Sequence, residues 1–174
     1  MRPRFHAVRT APGQFALRAR QAGFSLLELM IVMAIGALIA MLAVPAYTQY
    51  MDRARVASAI ADVHRIDIAI ERFRTQNGSL PDDLGEIGRD DMLDPWGVPY
   101  RYLAIAPFVV KGKVKGSVLG KARKDRNLVP INSDYDLYSL GKDGESRPPL
   151  APKVSHDDIV RAGNGGYVGL AENY

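Results

Sequence analysis

The chain has 174 residues, enough for one domain that can still bury a modest core once a membrane segment is set aside. It contains no cysteine, which excludes disulfide staples, a Cys-based metal site and a thiol nucleophile. The formal net charge of +4 is unevenly placed: Arg2, Arg4, Arg9, Arg18 and Arg20 precede Gly23 and no acid does. The remainder therefore carries 18 basic against 19 acidic residues, and a generally basic protein is excluded for it.

The first predicted element is the apolar run from Leu26 to Ala46, which holds a single charge, Glu28. At 1.5 Å of rise per helical residue it covers about 30 Å, the hydrocarbon thickness of a bilayer. The preceding arginines hold the N-terminus in the cytoplasm by the positive-inside rule and leave everything after about Tyr47 on the far side. Three readings compete: an ordinary secretory signal with its cut near Val44-Pro45-Ala46, a plain membrane anchor, and a signal cut ahead of the apolar run. Glu28 argues for the third. A carboxylate in a lipid-spanning segment costs several kcal/mol unless something pairs it, so its presence points to function.

The local string is Gly23-Phe24-Ser25-Leu26-Leu27-Glu28-Leu29-Met30. It resembles the signature of type IV pilins and type II secretion pseudopilins, Gly followed by Phe-Thr/Ser-Leu-x-Glu. The resemblance implies a prepilin peptidase cut between Gly23 and Phe24, methylation of the new N-terminal Phe24, and retention of the apolar helix in the mature protein. It also implies an assembly role for Phe24 and Glu28: a buried carboxylate of one subunit pairs with the N-terminal ammonium of its neighbour, each charge offsetting the desolvation of the other. Residues 1–23 are then a leader, and residues 24–50 the transmembrane and filament-core half of the helix. Residues 51–174 form a periplasmic globular domain that includes the helix's amphipathic half.

Beyond the membrane the helix continues. Ala59, Val63, Ile66, Ile70 and Phe73 recur at steps of four and three, while Asp52, Arg53, Asp62, Arg65, Asp67, Glu71 and Arg72 fill other faces. The apolar spacing is that of a helix packed on its own domain. Asn77-Gly78-Ser79-Leu80-Pro81 ends it, with glycine as cap and proline as stop. Unbroken from Phe24 to Asn77 it measures about 80 Å. Pro45 removes one backbone hydrogen bond within it, and local kinking or melting is expected there in a filament.

The remainder reads as a small α+β head with an antiparallel sheet. Asp94-Pro95-Trp96-Gly97-Val98-Pro99-Tyr100-Arg101-Tyr102 combines rigid turn chemistry with the sole tryptophan, read as a core anchor, and then alternates into a strand. A second strand is expected at Asp136-Leu137-Tyr138-Ser139-Leu140, closed by Gly141, and an irregular third over Leu128 to Ile131. Asp-Pro-Trp-Gly-x-Pro-Tyr and Asp-Leu-Tyr-Ser-Leu-Gly-Lys-Asp-Gly are similar to strings of the major pseudopilin of type II secretion systems, and the likeness covers most of residues 23 to 158.

That likeness implies a calcium ion between the Ser-Leu-Gly-x-Asp-Gly turn and the later Asp-Asp-Ile. The matching ligands are Asp143, Asp157 and Asp158, with the carbonyls of Leu140 and Glu145. Hard oxygen donors of this kind suit calcium. Read without the resemblance, Asp157-Asp158 is a solvated acidic pair or a helix cap. Two departures are visible: Ser146 to His156 is longer than the family's usual loop, and Val160-Arg161-Ala162-Gly163 stands where the family has Gly-Asn-Trp. If calcium organises the loop, chelation lowers the melting temperature and weakens filaments.

The basic run from Lys111 through Lys113, Lys115, Lys121, Arg123 and Lys124 to Arg126 reads as a solvated loop, since no aromatic interleaving of a nucleic-acid surface accompanies it. DNA uptake by a competence-type pilin is the minor alternative. Enzyme signatures are not found. Gly116-Ser117-Val118-Leu119-Gly120-Lys121-Ala122 has the wrong spacing for a P-loop, and His6, His64 and His156 form no metal helix or triad. Asp134 and Asp136 lack the glycine and distal glutamate of an EF-hand. The tail from Gly163 to Tyr174 is left unassigned beyond glycines that suit a flexible or closely packed turn.

The combined reading is a non-enzymatic pseudopilus subunit, single-pass in a bacterial inner membrane with its C-terminal domain in the periplasm. The partners it implies are other copies of itself, minor pseudopilins, the prepilin peptidase, and an inner-membrane assembly platform with its ATPase. A type IV pilin, and a membrane-tethered calcium-binding domain that never polymerises, are the alternatives.

Overall fold

The computed structural model describes residues 23–106, 109–110, 113–114, 116–126 and 128–174. The leader arginines, Lys111, Lys115 and most of the leader lie outside them. Two compact units make up the chain, Met1–Val44 and Pro45–Tyr174.

Helix α1 runs from Leu26 to Asn77 with Pro45 inside it. Up to Val44 its apolar side chains are exposed, Leu26, Met30, Met33, Leu38 and Leu42 each by more than half, and this stretch is long and apolar enough to cross a membrane. At the start of the second unit the Thr48 hydroxyl donates to the Pro45 carbonyl at 2.9 Å. From there the spacing read in the sequence becomes a buried stripe: Ala59, Val63, Ile66 and Ile70 are fully buried, and Phe73 is half-buried. Gly78, with φ of 73°, donates its N–H to Arg74 O and terminates the helix.

Asp62 departs from the expected polar faces. It is buried, accepting from Tyr100 Oη at 3.3 Å and from Arg65 at 2.7 Å.

A four-stranded antiparallel sheet packs on this stripe in the order β1-β4-β5-β6, with β1 at Arg101–Ala104, β4 at Tyr135–Ser139, β5 at Ile159–Ala162 and β6 at Tyr167–Leu170. The register pairs Tyr102 with Leu137, Tyr138 with Val160, and Val160 with Gly169. A separate ribbon pairs β2, Val109–Val110, with β3, Lys113–Val114, followed by the short α2, Gly116–Leu119. Side-chain alternation sends Tyr135, Leu137 and Ile159 into the core beneath α1 with Leu84 and Tyr100. Val160 and Ala162 point the other way, into a second cluster with Ile131, Leu150 and Ala171. The sheet is thus covered on both faces.

The turn before β1 is built around Asp94. Its carboxylate accepts the N–H groups of Trp96 and Val98 at 3.0 and 2.9 Å, and the Ser139 hydroxyl at 2.5 Å, which ties the turn to β4. Gly97 takes the positive φ of 88° that the turn requires. Trp96 packs on the main core as expected.

Leu128 to Ile131 forms no strand. A single bridge joins Asp125 to Leu128, and a cis Val129–Pro130 bond follows. The additional strands of the main sheet are β5, which begins directly after Asp158, and β6, which lies within the unassigned tail from Gly163 to Tyr174.

Candidate functional site: the N-terminal segment and the acidic loop

Gly23, Phe24 and Ser25 precede the helical ladder. Ser25 caps it: its hydroxyl accepts the Glu28 N–H at 3.1 Å and its carbonyl accepts the Leu29 N–H at 3.1 Å. Ser-x-x-Glu is the residue pattern of a capping box, a signal that the sequence reading passed over. The Gly23–Phe24 peptide bond therefore lies outside the helix, beside a Phe24 that is 83 % exposed, with open space around Gly23. Glu28 sits in the first turn, where the aligned amides favour an anion.

The second candidate is the loop that follows β4. Gly141 has φ of 67°, and its Cα approaches so closely that a Cβ there would lie 2.2 Å from the Asp157 carbonyl oxygen. This contact brings the two halves of the loop together. Asp157 Oδ2 accepts the N–H groups of Lys142 and Asp143 at 2.8 and 3.0 Å, and Asp143 Oδ1 accepts the Glu145 N–H at 2.9 Å. Asp143 and Glu145 are exposed, and Leu140 is half-buried.

Asp158 turns inward. It is fully buried, its Oδ2 paired with the Arg123 guanidinium and accepting the Ser146 hydroxyl at 2.6 Å. Arg123 is itself 2 % exposed, lies 4.4 Å over the Tyr138 ring, and donates further to Ser146 Oγ and, at 2.8 Å, to Arg147 O. Its backbone N–H donates to Asp136 Oδ2 at 2.6 Å, while Asn132 Nδ2 donates to the other oxygen at 2.9 Å. Burial pushes the carboxyls of Asp136 and Asp158 up to about 6; hydrogen bonds and the Arg123 charge oppose the rise.

Calcium needs six to eight oxygens aimed at one point. Among the described residues no group of three or more Asp, Glu or His gathers to hold a metal. Asp157 and Asp143 are directed to loop amides and Asp158 to a guanidinium, so the residues implied by the resemblance do not converge into a calcium cage in this arrangement. Arg123 also corrects the reading of the basic run as solvated: Lys121 and Arg126 are exposed, but Arg123 is buried.

Arg161 is a further buried cation, in β5. Nε donates to Asp67 Oδ1 at 2.6 Å, Nη2 and Nη1 reach Asp134 at 2.7 and 2.9 Å, and the guanidinium lies 3.9 Å over Tyr135, whose hydroxyl donates to Asp67 at 2.5 Å. This network ties α1 to the sheet, a structural role for Asp134 and Asp67.

Residues 18–44 match the prokaryotic N-terminal methylation motif. The chain is 29 % identical over 149 residues to type II secretion system core protein G of Pseudomonas aeruginosa, covering 74 % of this chain and 88 % of that relative. It is 41 % identical over 154 residues to the type IV major pilin protein PilE of Neisseria gonorrhoeae, covering 85 % and 88 %. With the type IV major fimbrial protein FimA of Dichelobacter nodosus it shares 30 % over 138 residues, 77 % of this chain and 76 % of the relative. No solved structure matches.

Proposed function

Since this chain belongs to the family of type IV pilins and type II secretion core protein G, we propose that it is a structural subunit of a type II secretion pseudopilus. The observation that carries the proposal is a membrane-length helix with its apolar side chains exposed, opening on a capped first turn with one acid just beyond an accessible Gly–Phe bond.

Prepilin peptidase cuts Gly23–Phe24, leaving an ammonium on Phe24, which is then methylated. That cation sits at the positive end of its own helix, where the dipole disfavours it. The Glu28 carboxylate of an adjoining subunit is a partner that relieves both groups on entering an apolar filament core, and it sets axial register. The subunit waits in the inner membrane with its head in the periplasm, an orientation supported by the leader arginines. Growth draws on an assembly platform, its ATPase and minor pseudopilins, and the lengthening filament moves cargo outward. Local melting near Pro45 lets the helix adapt to the core.

The test is overexpression followed by electron microscopy and mass spectrometry. The expected result is filaments whose subunits begin at methylated Phe24, and no filaments from Glu28→Ala. A mature chain beginning at Tyr47 would sink the proposal. The likeness to the gonococcal pilin favours a second reading, a surface type IV pilin; filaments that form only at the cell surface and leave secretion unaffected by deletion would favour it.

A further inference from the structure

We propose that Arg123 is the resident cation of the 140–158 loop, and that this loop is organised by a buried ion pair without calcium. A loop carrying several carboxylates needs positive charge where one of them is taken out of water. Asp158 is the one taken out of water, and the positive charge already beside it is a guanidinium supplied from a segment 35 residues earlier in the chain.

The pair leaves two loose ends. Among the described buried side-chain atoms, Arg123 Nε and Asp158 Oδ1 are left without partners. These are the two atoms that a bidentate guanidinium–carboxylate fork joins, once Nη2 and Oδ2 are bonded. Both orphans thus belong to this one ion pair, whose fork is joined on the Nη2–Oδ2 side only. A divalent ion placed against the same carboxylate would be repelled by that charge and would have to displace it.

The longer Ser146–His156 stretch supplies what this arrangement needs. Ser146 bridges the pair, accepting from Arg123 and donating to Asp158. Arg147 offers its carbonyl to Arg123 and exchanges hydrogen bonds with Ser155, closing the stretch on itself at 3.0 and 3.1 Å. Lys124, next to Arg123, pairs its backbone with Pro148 and Leu150 at 3.0 and 2.9 Å, so the stretch lies along the segment that carries the cation. Asp157 is held by loop amides alone.

The experiment is thermal unfolding of the purified full-length protein in detergent micelles, in excess chelator and again in saturating calcium, with calorimetric titration of calcium alongside. The melting temperature is expected to be the same in both conditions, with no heat of calcium binding. Arg123→Met should lower it by on the order of 10 °C, and Arg123→Lys by less, since the charge is kept and only the fork is lost. Should Arg123→Met fail to fold, Arg123→Lys and Asp158→Asn carry the comparison. A wild-type melting temperature that rises with calcium, or an Arg123→Met protein as stable as wild type, would overturn the inference. None of these readouts depends on filament formation, so the test is separate from that of the proposed function.

Discussion

Charged residues placed out of water define the larger unit at the level of single side chains. Arg161 is 3 % exposed by side chain and faces two carboxylates, Asp67 and Asp134, that are themselves mostly covered. Removing one partner of such a group leaves the others desolvated and uncompensated. Arg161→Met is expected to cost about 3–5 kcal/mol in urea unfolding. Arg161→Lys should recover part of that loss, since it restores the charge but not the planar fork.

The tyrosines give a pH signature. Burial, reinforced by Asp62 for Tyr100, by Asp134 for Tyr102 and by the hydrogen bond to Asp67 for Tyr135, raises all three phenols well above their ordinary value of 10. The folded protein keeps these protons after the unfolded chain has begun to lose them. Their contribution to stability is therefore complete below about pH 10 and is lost as pH rises above it. Phenolate absorbance for these three should develop together with unfolding; its appearance with the fold intact would contradict their burial.

Among elements, β5 is the informative case. Ile159-Val160-Arg161-Ala162 is buried on both faces, so it carries none of the polar alternation by which a half-covered strand declares itself. β4 is likewise covered on both faces, but Tyr135, Leu137 and Tyr138 are strand-forming residues and Gly141 marks its end, so the expected start at Asp136 lies one residue from the observed one. That glycine has a steric reason to be there. Gly141→Ala would place a methyl 2.2 Å from a backbone oxygen at a positive φ, and should cost about 3 kcal/mol or more in urea unfolding. An unchanged midpoint would mean that the loop contact is not maintained in solution.

For the molecule as a whole, the two units have separate physical tasks. Glu28 contributes no side chain to the three core clusters of the larger unit. Glu28→Ala is accordingly expected to abolish filaments while leaving the melting temperature of the Pro45–Tyr174 unit within about 1 °C of wild type, as a surface substitution does. A large shift would mean that the acid serves folding instead of assembly.

The apolar run, the acid within it, the cap at Gly78, the buried stripe of α1 and the Asp94 turn were all legible in the amino-acid sequence. Each rests on interactions between residues a few positions apart, where spacing alone determines which groups meet. The destinations of Asp62, Arg123, Asp158 and Arg161 were decided only by the tertiary structure. Most of their partners lie tens of residues away, as with the 94 positions that separate Asp67 from Arg161, and a charge written in the sequence carries no mark of whether the fold will surround it with water or with an opposite charge.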